Sequence, residues 1–84
     1  MELSTLFNKA VAESKELPAK PSNDTLLQLY SLYKQSTEGD NESESPNMFD
    51  FVAKAKYEAW MSQKGKAKDQ AMTEYIELVE KLKS

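Results

Sequence analysis

Apolar side chains recur at helical spacing in four segments, 3–17, 22–37, 50–63 and 68–83. Breaks at Pro18 and Pro21, at Gly39 to Pro46, and at Gly65 separate them. In the first segment Leu3, Phe7, Ala10, Val11 and Leu17 share one face. Ser14 interrupts that face, and its hydroxyl can bond back to the carbonyl four residues earlier. In the second segment Leu26, Leu27, Leu29, Tyr30, Leu32 and Tyr33 spread over roughly 220°, where one core face needs little more than about 100°. This helix is either buried on most sides or packs a core on one side and offers a binding surface on the other. The third segment has a thin arc of Val52, Ala53, Ala55, Tyr57, Ala59 and Trp60, with Lys56 inside it. The fourth is cleanly amphipathic, with Ala71, Met72, Tyr75, Ile76, Leu78, Val79 and Leu82 opposite Thr73, Glu74, Glu77, Glu80 and Lys81.

Ser22 and Asp50 stand where N-caps of the second and third helices belong, whereas Ala67 offers the fourth helix no cap oxygen. Four amphipathic helices in 84 residues predict an all-α four-helix bundle, a single domain over 1–84. The polar, acidic stretch 38–47 reads as a long surface loop between helices two and three. A connection of that length can return the chain along the bundle, so these two helices can run in the same direction.

Composition narrows the chemistry. The chain has no Cys, no His and no Arg, and all eleven of its basic residues are Lys. There is thus no thiolate or imidazole for catalysis or metal binding, and no guanidinium fork for phosphate. No carboxylate pair lies amid apolar residues, so no acid/base couple suggests itself. A binding role is favoured over an enzyme. Residues 38–50 carry five acidic groups and no Lys, while 51–68 carry five Lys against Glu58. An acidic protein is a poor general nucleic-acid binder, but a local Lys cluster suits a small anionic ligand. No apolar run approaches a membrane span, and the start lacks the features of an export signal.

Two lysines are out of place. Lys34 follows Tyr30 by one turn and adjoins Tyr33 at the border of the wide apolar arc, and Lys56 sits within an apolar arc. An ammonium there either snorkels to water or meets an anion. Ammonium groups beside aromatic faces suit a phosphorylated, ring-bearing ligand. On pattern alone Tyr75 and Trp60 read as core residues whose polar tips find partners.

The stretch LLQLYSLYKQSTEGD (26–40), the PNMFD of 46–50, the KAKYEAW of 54–60 and the KGKAKDQAMTEYIELVEKL of 64–82 together resemble the acyl-CoA-binding protein family. The likeness runs from Phe7 to Leu82. It implies an up-down-down-up four-helix bundle that binds long-chain acyl-CoA esters as a cytoplasmic, non-catalytic carrier. It implies no cofactor, and a monomer docking at most transiently on acyl-CoA-using enzymes or membranes. By the same resemblance, Lys34, Lys56 and Tyr30 would grip the ribose 3′-phosphate, Tyr33 would lie against the adenine, and Lys15 and Tyr75 would line the site. Leu26 and Leu27 would touch the acyl chain. Tyr57, Ala53, Asn47, Ser14 and Ala67 depart from the family pattern, and none of them removes a phosphate-binding lysine. The alternative is a helical interaction module that docks a protein on the apolar face of helix two.

Overall fold

The computed structural model describes residues 2–84. Its four helices are α1 (Leu3–Ser14), α2 (Asn23–Glu38), α3 (Phe51–Met61) and α4 (Lys68–Lys83). No strand occurs among the described residues. Local chemistry sets most of the ends. Ser22 accepts from the Thr25 backbone N–H at 3.2 Å to start α2, and the Asp50 carboxylate accepts from the Ala53 N–H at 3.0 Å to start α3. Ala67 caps α4 without a side-chain bond, as the sequence implies, although Asp69 in the first turn favours the positive end of the dipole.

Two helices are shorter than their apolar pattern. In α1 the N–H groups of Lys15 and Glu16 reach back only three residues, to Ala12 and Glu13, and the helix tightens and ends before Leu17. The N–H groups of Gln63 and Lys64 do the same after α3, bonding Trp60 and Met61. The third difference concerns Glu38. It is the last residue of α2 and not the first of the acidic loop, because Gly39, at φ 81° and ψ −150°, takes a positive-φ backbone that ends the helix.

Pairings between named residues fix the directions. Phe51 and Val52 at the start of α3 line a cavity with Asn23 and Leu26 at the start of α2, and Trp60 near the end of α3 donates to the Gly39 carbonyl after α2. Helices α2 and α3 therefore run parallel. Tyr33 packs near Tyr75, while Gln35, further along α2, bonds Lys66 just before α4, so α2 and α4 are antiparallel. Phe7 packs on Tyr75 and Glu13 pairs with Lys83, which makes α1 and α4 parallel. This is the up-down-down-up arrangement.

The core is built by three helices. Phe7 and Ala10 of α1, Leu29 and Leu32 of α2, and Ala71, Tyr75 and Val79 of α4 are buried; Val11, Met72, Ile76, Leu78 and Leu82 pack around them while partly exposed. Helix α3 buries no residue and packs against α2 alone. The Cα envelope is consequently flat, 39 × 28 × 15 Å. Met48, Phe49, Phe51 and Val52, around the start of α3, are between 66% and 79% exposed.

A polar knot ties α2 to the α3–α4 turn. The buried Gln35 Nε2 donates to Asp40 Oδ1 and to the Lys66 carbonyl, each at 2.8 Å. Asp40 Oδ1 also accepts from the Gly65 N–H at 2.8 Å. Gly65 stands at φ 91°, where a Cβ would be strained. These donors, Gly65 first and Gln35 second, hold the Asp40 carboxyl below its ordinary range. Lys66 does the same for Glu74.

Gln35→Ala removes two hydrogen bonds and strands the Lys66 carbonyl. It is expected to cost about 2–4 kcal/mol, read as a lower midpoint in urea unfolding. Because the Asp40 pKa is lowered on folding, its contribution is complete above the unfolded value of about 3.9 and is lost as pH falls through the folded value. Asp40→Asn should therefore give a shallower loss of stability below about pH 4, measured by acid-dependent unfolding.

Candidate functional site

Because α2 and α3 run parallel and touch only each other on this side, an open apolar groove lies between their first halves. Its volume is about 460 Å³, and Leu26, Leu27, Tyr30, Phe51, Val52, Ala55 and Lys56 form most of its wall. A second groove of about 300 Å³ lies between α1, α2 and α4, lined by Val11, Ser14, Lys15, Leu29, Tyr33 and Tyr75. Leu26 and Tyr30 border both, so the two grooves adjoin across these side chains, one aliphatic and the other tyrosine-lined.

The second groove rests on three rings packed together. Phe7 lies 6.0 Å from Tyr33 and 5.1 Å, edge-on, from Tyr75, and Tyr33 lies 6.5 Å from Tyr75. Tyr75 is buried, yet its ring lines the groove. Its hydroxyl donates to Ser14 Oγ at 3.1 Å, and Ser14 donates at 2.7 Å to the Val11 carbonyl, three residues back where the sequence suggested four. Burial pushes the Tyr75 phenol up, against the opposing pull of the Ser14 hydrogen bond.

Both lysines singled out from the sequence lie over aromatic rings. Lys56 Nζ stands 5.4 Å from the centre of the Tyr30 ring, at the junction of the two grooves. Lys34 Nζ stands 4.8 Å from the Trp60 ring and pairs with Glu38 one turn on. That pairing, foremost through the hydrogen bond, raises the Lys34 pKa. The structure thus brings Lys15, Tyr30, Tyr33 and Tyr75 together around one groove and Leu27, Tyr30 and Lys56 around the other. Lys34 lines neither.

A family model described as Acyl CoA binding protein matches residues 4–79. Over 76 residues the chain is 53% identical to Acyl-CoA-binding protein homolog 1 of Caenorhabditis elegans, covering 90% of this chain and 88% of that protein. Over 80 residues it is 49% identical to the Acyl-CoA-binding protein of Saccharomyces cerevisiae, covering 95% and 92%. The chain belongs to the acyl-CoA-binding protein family. The crystal structure of Oryza sativa Acyl-CoA-Binding Protein 2 superposes with a TM-score of 0.93 at 37% identity, covering 96% of this chain and 90% of that one. The solution structure of the yeast acyl-coenzyme A binding protein gives 0.73 at 47% identity, covering 96% and 99%. The all-α fold expected from the resemblance is that of these acyl-CoA-binding proteins.

Against this family background three departures acquire places. Ser14 is the acceptor that fixes the Tyr75 hydroxyl, and Ala53 and Tyr57 line a small recess of about 190 Å³ under the acidic loop. Sequence reasoning missed Phe51 as a groove residue, and took Val52 and Ala55 only as part of the third helix's apolar arc. The signal was present in α3, whose small residues could not fill a core, so that its large ones had to serve another surface.

Replacing Tyr75 separates ring from hydroxyl. Tyr75→Phe is expected to stay within about 1 kcal/mol of the parent, because Ser14 keeps its bond to Val11. Tyr75→Ala should cost about 3–5 kcal/mol through the cavity it opens, both read by denaturant unfolding.

Proposed function

We propose that this acyl-CoA-binding protein family member binds long-chain acyl-CoA esters and carries them without altering them. The observation that carries the reading is the pair of grooves that adjoin at Leu26 and Tyr30. The aliphatic groove, walled by Leu26, Leu27, Phe51, Val52 and Ala55, suits an acyl chain. The tyrosine-lined groove, with Lys15 at the rim and Lys56 at the junction, suits a phosphorylated, ring-bearing head. A ligand amphipathic in that order matches both at once.

In this reading the phosphates meet Lys15, Lys34 and Lys56, with Tyr30 beside them, and the base lies against Tyr33 and Tyr75. The exposed apolar side chains at the start of α3 are the outer wall of the acyl groove and become covered when the chain is in place. The thioester is held and not attacked, since neither a thiol nor an imidazole exists in the sequence. The unit is one domain over 1–84, acting as a cytoplasmic monomer that docks transiently on the enzymes or membranes that exchange its ligand. No helix among the described residues is long and apolar enough to cross a membrane.

Calorimetric titration with a long-chain acyl-CoA, free CoA and the matching fatty acid tests this directly. The ester should bind tightest, CoA more weakly and the acid little, and no free thiol should appear on incubation with the ester. Lys56→Ala and Lys34→Ala are each expected to weaken ester binding by about 1.5–3 kcal/mol with the fold retained. Phe51→Ser should leave CoA binding unchanged but reduce the gain in affinity per added CH₂ below the wild-type value, whose ceiling is about 0.8 kcal/mol. Unchanged affinity in both lysine variants would overturn the site assignment.

A further inference from the structure

We propose that Glu38 is an internal competitor for Lys34, occupying the ammonium that a ligand phosphate would take and thereby setting how tightly and how long phosphate-bearing ligands are held. The proposal rests on the acyl-CoA reading above and adds a residue which that reading does not use. Lys34 Nζ donates to a Glu38 carboxylate oxygen across one turn of α2 and lies over Trp60 at 4.8 Å. Trp60 is itself fixed by its N–H bond to the Gly39 carbonyl at 2.8 Å. The ammonium is therefore held over a ring that lines the small recess which Tyr30 shares with both grooves. Lys56 differs: no carboxylate pairs with it among the described residues, and it already stands in the wall of the aliphatic groove.

The pair is built to open. Lys preceding Glu at this spacing is the weaker orientation on a helix. Glu38 is the last residue of α2, at the negative end of the helix dipole, where a carboxylate is disfavoured. Its side chain is 53% exposed against 24% for Lys34, so water and salt screen the attraction. A phosphate monoester carries up to two negative charges where Glu38 carries one, and three acceptor oxygens where it has two. Phosphate can thus displace the carboxylate, which remains one turn away and recaptures the ammonium when the ligand leaves.

The test is a double-mutant cycle. Palmitoyl-CoA binding is measured by calorimetry at low ionic strength for the wild type, Glu38→Gln, Lys34→Ala and the double variant, with helicity checked by circular dichroism. Glu38→Gln is expected to tighten binding roughly two- to five-fold, the range set by an exposed ion pair, with a slower off-rate. On the Lys34→Ala background the same change should have little effect. Equal tightening on both backgrounds would mean that Glu38 acts only through its bulk charge, and would overturn the competition. No change or weaker binding in Glu38→Gln, with the wild type binding normally, would overturn it too and leave the acyl-CoA reading standing. A wild type that does not bind palmitoyl-CoA would overturn both.

Discussion

The amide of Gln35 decides where α3 goes. Helix α3 has no partner but α2 and buries nothing of its own, so the three-helix core cannot position it. The polar knot does so instead. Gln35 reaches from inside α2 to the Lys66 carbonyl and to Asp40, and Asp40 reaches on to the Gly65 N–H. Gln63 adds a bond to the buried Ser31 at 3.2 Å. Together with the Trp60 bond to Gly39, these fasten both the end of α3 and the turn after it to the second half of α2. A buried amide is costly unless paired, and Gln35 uses both N–H groups on this knot, while its Oε1 has no partner among the described residues.

The aliphatic groove is what such a one-ended attachment leaves open. Near the knot α3 is held by directional bonds, and at its start it only faces α2 across a gap lined with apolar side chains. The tyrosines of α2 lie where the gap meets the second groove, and Tyr30 borders both. Its neighbour Lys56 is held by the face of that ring, an attraction of about 0.5–1 kcal/mol at exposed sites. With no guanidinium in the sequence, the electrostatics of the site depend on ammonium groups whose direction is given by the rings beneath them and not by bidentate geometry.

The parts of this design that were legible in the sequence are those carried by local rules. The helical periods, the caps at Ser22 and Asp50, and the conflict of an ammonium at Lys56 amid apolar neighbours can be read from spacing alone. The long motifs around Tyr30 and Trp60 went further and pointed to the family. What stayed hidden depends on partners distant in the chain or on a boundary. Gln35 meets Lys66 31 residues away, and no pattern announces it. Glu38 was grouped with the acidic loop, although the turn at Gly39 places it in α2, one turn after Lys34 and on the same face. Phe51 and Val52 were obscured because apolar periodicity says that a side chain needs covering, but not whether the protein itself supplies the cover.

That last distinction makes the folding equilibrium of this protein depend on its surroundings. Under the proposed reading, an acyl chain between α2 and α3 acts as the missing layer of the interior, covering surface that the polypeptide leaves to water. Free energy of unfolding then contains a part set by ligand concentration, growing with the logarithm of ligand over its dissociation constant. At a hundred-fold excess over that constant the added stability is about 2.7 kcal/mol, a large share of what so small a domain can have. On the same reading the empty form is the less stable one, so the stability of the polypeptide rises with the supply of what it holds.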